Sequence, residues 1–140
     1  MCNLLLVEDD QDLRELLTDM LQMEGHDVRV ARDCIEALRQ LDVRFPQLVI
    51  SDVEMPALDG LALVYRMFVE NLGRENIPVI LMSGCSRLPQ VAEAAGTPYA
   101  IAKPFTVQAL EVLMDRALTE GIPPRPVGIT DDPRPRRILP

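Results

Sequence analysis

Leu48-Val49-Ile50-Ser51-Asp52-Val53 stands between Pro46 and the turn-rich stretch Glu54-Met55-Pro56-Ala57-Leu58-Asp59-Gly60. Pro46 stops anything helical ahead of it, and the turn residues close it six positions later. A short, mostly apolar run bounded in this way reads as a strand covered on both faces. Its one acid, Asp52, comes at the end, where such a strand leaves the core.

Working outward, the same pattern recurs. Leu4–Val7 and Pro78–Met82 are continuous apolar runs, and Tyr99–Ala102 reads as a further strand. His26–Ala31 alternates, with Val28 and Val30 on one side and Arg29 on the other, as a half-exposed edge strand does. Between these runs the apolar period lengthens to that of a helix. Leu13, Leu16, Leu17, Met20 and Leu21 form one face, closed by Gly25. Asp33 and Glu36 make a capping-box start for a helix through Leu41. Leu61, Val64, Phe68 and Leu72 mark a third helix, about Leu88 to Ala95 a short fourth ended by Gly96, and Thr106–Glu120 a fifth. The order is (βα)5. Right-handed crossovers then favour a doubly wound, five-stranded parallel sheet in flavodoxin-like order 2-1-3-4-5, with the alternating strand at an edge. The domain is expected over residues 1–120. Residues 121–140 carry six prolines and are expected to form a flexible or polyproline-like tail rich in Pro and Arg.

The charge balance narrows the partners. Residues 1–120 hold 10 basic and 20 acidic side chains, so direct nucleic-acid binding, which needs clustered Lys and Arg, is not expected. No apolar run approaches the roughly 18 residues of a membrane span, and no signal-peptide pattern opens the chain. Cys2, Cys34 and Cys85 lie far apart without metal spacing, which argues against a disulfide framework or zinc site. A cytoplasmic location is the expectation. His26, the one histidine, reads as a surface-loop residue.

Ligands of such sheets bind beyond the carboxyl ends of the strands. Those ends carry Glu8-Asp9-Asp10, Asp52, Ser83 and Lys103, the last being the only lysine of the chain. Asp10 also suits the N-cap of the first helix. Converging carboxylates repel, by about 1 kcal/mol per pair at 4 Å in water and about 4 at an effective dielectric of 20. One lysine cannot neutralise them, whereas Mg²⁺, a hard cation with oxygen ligands, can. A carboxylate beside Mg²⁺, a lysine and a hydroxyl is equipped to attack phosphorus. Asp52, on the central strand of the set, is the best candidate nucleophile.

Four segments together resemble the receiver domain of two-component response regulators: Leu5-Leu-Val-Glu-Asp-Asp10, Ile50-Ser-Asp-Val-Glu-Met-Pro56 with Asp59-Gly60, Pro78-Val-Ile-Leu-Met-Ser-Gly84, and Ala102-Lys-Pro-Phe105. The likeness runs from about residue 3 to 119. It implies that Asp52 is the phosphoacceptor and that Glu8 and Asp9 are the acidic pair, Asp9 the likelier direct metal ligand. It further implies that the Glu54 backbone carbonyl joins the Mg²⁺ ligands, and that Ser83 and Lys103 bind the phosphoryl group. The implied donor is the phosphohistidine of a sensor histidine kinase or a phosphotransfer protein. The implied output is a shift in the surface of helix 4, strand 5 and helix 5, met by a downstream protein; a homodimer is also compatible.

Such a chain would be no enzyme beyond its own phosphoryl transfer and dephosphorylation. The sequence departs from the family at the position three before the lysine, where an aromatic switch is common and Ala100 stands; Tyr99, one earlier, would point to the other face. The Glu54 side chain reads as solvent-facing. Two alternatives remain: a receiver-like scaffold that works without phosphorylation, and a phosphatase with an aspartyl nucleophile. Against the phosphatase, Asp52 ends the third strand, whereas such enzymes place the nucleophile after the first.

Overall fold

The computed structural model describes residues 2–55, 59–70 and 72–126. Its elements run β1 (Asn3–Val7), α1 (Gln11–Met23), β2 (Asp27–Ala31), α2 (Cys34–Val43), β3 (Leu48–Asp52), α3 (Gly60–Glu70), β4 (Val79–Ser83), α4 (Leu88–Ala95), β5 (Ala100–Ala102) and α5 (Val107–Glu120), with a 3-10 turn at Arg74–Asn76 before β4. The strands form one parallel sheet ordered β2-β1-β3-β4-β5. The (βα)5 flavodoxin-like arrangement expected from the sequence is the one observed.

Strand periodicity divides the core into two layers. Leu5, Val7, Val49, Val79 and Leu81 face α2, α3 and α4, where Ala37, Leu41, Leu63, Val64, Met67 and Ala92 close over them. Leu4, Leu6, Leu48, Ile50, Ile80 and Met82 face α1 and α5, against Leu17, Leu21, Leu110, Met114 and Ala117. β3 and β4 are buried along their whole length, while β2 at the edge is only partly covered. This matches their continuous and alternating patterns.

The helix ends follow local chemistry. The Asp10 side chain accepts from the Asp12 and Leu13 amides to open α1, Asp33 accepts from the Glu36 amide to open α2, and Thr106 accepts from the Ala109 amide to open α5. Gly96 ends α4 with φ +69°.

Three expectations need correction or limits. Leu72 does not belong to the third helix face: α3 ends at Glu70 and Leu72 is 62% exposed, and the buried face consists of Gly60, Leu63, Val64, Met67 and Phe68. His26 is not a surface-loop side chain: it is 7% exposed, its Nδ1 accepts from the Cys2 amide and its Nε2 lies 3.0 Å from Glu111 Oε1 on α5. Of the turn after β3, positions 56–58 lie outside the described residues, as do residues 127–140 of the tail. Residues 121–126 lie against the domain. Pro124 and Pro126 are buried, the Arg125 amide donates to the Gly96 carbonyl at 3.1 Å, and the Ile122 amide reaches the Tyr99 hydroxyl.

Gly60 joins the fold to the site. Its amide donates to the Val53 carbonyl at 3.0 Å, and a Cβ added there would stand 2.6 Å from the Asp52 carbonyl oxygen. Only glycine lets the start of α3 approach the end of β3 so closely. Gly60→Ala is expected to lower stability by about 1–3 kcal/mol through overpacking, seen as a lower urea midpoint with an unchanged slope.

Candidate functional site

Four strands end at the same edge of the sheet, and the period of two decides which side chains meet. Glu8 continues the Leu4, Leu6 row; Asp52 continues Leu48, Ile50; Lys103 continues Tyr99, Ile101. All three therefore come out on the α1–α5 side. The Lys103 ammonium donates to Glu8 Oε1 at 3.0 Å and lies 3.1 Å from Asp52 Oδ1. The Lys103 amide, bonded to the Ser83 carbonyl at 2.8 Å, sets the height of the lysine along the sheet, and the Lys103–Pro104 peptide bond is cis.

Glu8 and Asp52 are buried, at 1% and 3% exposure, while Asp9 is open to solvent. The second Glu8 oxygen accepts from the Asp10 amide at 3.1 Å, so both of its oxygens are engaged. Arg14, one turn into α1, donates to the carbonyls of Glu8 and Asp9 and clamps this acidic segment. Arg14 was not singled out in the sequence; its one signal is its place a turn after the Asp10 cap, from which a long side chain reaches back toward the strand end.

Electrostatics follow from burial. Desolvation, then the charge of Glu8, push the Asp52 carboxyl up to about 6 despite Lys103. Glu8 is likewise raised, chiefly by burial, with Lys103 opposing. For Lys103 burial works toward the neutral form, but the carboxylates of Glu8 and Asp52 beside it outweigh that and its pKa is raised. One ammonium thus serves two buried carboxylates.

A divalent cation fits what remains. Glu8, Asp9 and Asp52 each present an oxygen within 4.8 Å of the others. Asp52 Oδ1 is buried without a hydrogen-bond partner: its contact with Lys103 is close but badly aligned for one. An all-oxygen set with an unsatisfied carboxylate oxygen suits Mg²⁺ and does not suit zinc. Both Glu8 oxygens accept hydrogen bonds, from Lys103 and from the Asp10 amide, whereas Asp9 is open to solvent.

Ser83 continues the Val79, Leu81 row and so emerges on the opposite side, near the connection from β3 to α3. Its oxygen accepts from the Cys85 amide at 2.8 Å, and its hydroxyl donates to Glu54 Oε2 at 2.5 Å. Glu54 is exposed, as expected, yet it is bound to a site residue. Tyr99 lies fully buried on the α1–α5 side, its hydroxyl donating to Glu120 and its ring under Arg116. Ala100 packs on the other side, paired in register with Leu81.

Because the charged form of Asp52 is the costly one, its effect on stability has a definite sign. The folded state holds the proton more tightly than the unfolded chain, so stability falls as pH rises from 3.8 through about 6. Without divalent cations at pH 7.5, Asp52→Asn should be more stable than the parent by up to about 3 kcal/mol. The gap should close toward pH 4 in urea or thermal unfolding, and a variant no more stable at pH 7.5 contradicts this reading.

Residues 4–115 match the family described as "Response regulator receiver domain". The C4-dicarboxylate transport transcriptional regulatory protein DctD of Rhizobium meliloti is 36% identical over 75% of this chain, which spans 23% of that protein's length. Sporulation initiation phosphotransferase F of Bacillus subtilis is 31% identical, with 76% of this chain and 86% of that protein aligned. Among solved structures, the signal receiver domain of a histidine kinase from Syntrophus aciditrophicus superposes with a TM-score of 0.78 at 32% identity, covering 86% of this chain and 92% of the other. The response regulator TrrA of Thermotoga maritima, solved with Mg²⁺ and BeF, gives 0.73 at 27% identity, over 83% and 98%. By this match, and by the acidic cluster and lysine at the carboxyl edge of its sheet, the chain belongs to the response regulator receiver domain family.

Proposed function

We propose that the chain is a phosphorylation-switched signalling module in which Asp52 accepts a phosphoryl group from the phosphohistidine of a sensor kinase or phosphotransfer protein. The observation that carries this reading is the state of the Asp52 carboxylate: buried, lacking a hydrogen bond on Oδ1, and 3.1 Å from the only lysine. An Asp52 oxygen attacks phosphorus, the donor's P–N bond breaks, and the electron pair leaves with the imidazole nitrogen, which takes up a proton. Lys103 meets the charge on the transferring oxygens, and Ser83 supplies a hydrogen bond to the same group. Asp9, Asp52 and the Glu54 backbone carbonyl would hold Mg²⁺, with Glu8 oriented behind them. When bound, the ion neutralises charge that builds on the phosphoryl oxygens.

The Mg²⁺ and BeF pair bound by TrrA of Thermotoga maritima supports this assignment, as does the likeness to the Bacillus phosphotransferase. Against a self-standing enzyme, the chemistry at the edge serves only transfer to and from Asp52. The output surface is read as α4, β5 and α5, where β5 forms a sheet edge and Val112 on α5 is 69% exposed. It would meet a partner protein or a second copy. No helix among the described residues is long and apolar enough to cross a membrane.

Ala100 favours one other reading, a scaffold that acts without phosphorylation, because the aromatic switch of the family is missing there. With Mg²⁺ and acetyl phosphate, the intact mass should rise by a single phosphoryl group, with acetate as the leaving group. Asp52→Asn should abolish the rise. An unchanged mass in folded protein, with Mg²⁺ present, selects the scaffold.

A further inference from the structure

Ser83 has one proton to donate, and in this structure the proton is spoken for. The hydroxyl oxygen already accepts from the Cys85 amide, and the O–H points to Glu54 Oε2 at 2.5 Å, a short, charge-assisted bond. A phosphoryl oxygen on Asp52 requires that same proton. Glu54 is thus an anion of this chain's own, seated on the donor that the incoming anion needs.

The position of Glu54 suits such a role. It lies two residues after Asp52 at the mouth of a cavity of about 550 Å³ between the β3–α3 and β4–α4 connections, lined also by Asp59, Cys85 and Arg87. Among the described residues, Arg87 is the only cation of that lining. On the other side of Ser83, the register that pairs Leu81 with Ala100 and Ser83 with Ala102 offers only methyl groups from β5. Within the described residues, the side chain coupled to Ser83 therefore comes from the β3–α3 connection and not from β5.

We propose that Glu54 is a positioning residue that holds Ser83 closed: its carboxylate occupies the hydrogen bond intended for the phosphoryl group, and phosphorylation exchanges one anion for the other. Release frees Glu54 toward the cavity that Arg87 lines, so the first consequence of phosphorylation is a change in the position of the Glu54 side chain. This inference rests on Asp52 being the phosphoacceptor.

The test uses beryllofluoride with Mg²⁺, followed by ¹⁹F NMR titration of the full chain. Glu54→Ala should lower the half-saturating concentration by about tenfold, equivalent to about 1.4 kcal/mol for a charge-assisted hydrogen bond released. Glu54→Gln, neutral but still an acceptor, should lower it by only about threefold. Ser83→Ala should bind more weakly, and adding Glu54→Ala to it should change binding by no more than about twofold, since the shared bond is already gone. Equal gains from Gln and Ala, or the same gain with and without Ser83, mean that Glu54 acts by charge alone and overturn the proposal. If the parent chain, folded and with Mg²⁺, binds no beryllofluoride at all, the phosphoacceptor reading fails first and this inference with it.

Discussion

One ammonium group holds two buried carboxylates together, and the geometry of the sheet exists around that contact. Glu8 and Lys103 stand 95 positions apart in the chain and meet at 3.0 Å, with Asp52 3.1 Å from the same nitrogen. At such distances the attraction is large in a partly dry setting, yet the cost of desolvating each charge is of similar size. The balance leaves Asp52 and Glu8 with raised pKa values and one Asp52 oxygen unsatisfied. This edge of the molecule is therefore strained toward binding positive charge, and the stability given up there is available to a ligand that supplies it.

Strand periodicity turns that constraint into an arrangement with two sides. Glu8, Asp52 and Lys103 share the parity of the α1–α5 layer, and Ser83 has the parity of the α2–α4 layer. The Ser83 hydroxyl thus emerges on the side of the sheet opposite the lysine. The same rule sends Tyr99 into the α1–α5 core, where its hydroxyl holds Glu120 and receives the amide of Ile122. Tyr99 anchors the end of α5 and the start of the tail, and it has no path to Ser83.

Much of this was readable in the residues. Each strand's apolar run, the helix faces, the Asp10 and Asp33 caps and the stop at Gly96 are local features, set within a few positions of one another. The candidate site was readable as a set of strand ends, because a doubly wound sheet brings them to one edge whatever the loops do. Leu72 misled because its spacing continues the α3 period past Glu70, where Gly73, at φ +100°, follows three residues later. His26 misled because its partner, Glu111, is 85 positions away.

By itself, then, the sequence determined the order of elements, the strand at the sheet edge, the acidic and basic residues at the carboxyl ends and the absence of an aromatic at position 100. These depend on composition and period, which are properties of short segments. Tertiary structure alone decided that both Glu8 oxygens are hydrogen-bonded while Asp52 Oδ1 has only its ion pair with Lys103, that Arg14 clamps the acidic segment, that the proton of Ser83 goes to Glu54, and that residues 121–126 lie against Gly96. Each of these is a choice among several partners within hydrogen-bond reach. Only the packed chain, by fixing distances and excluding water, selects one.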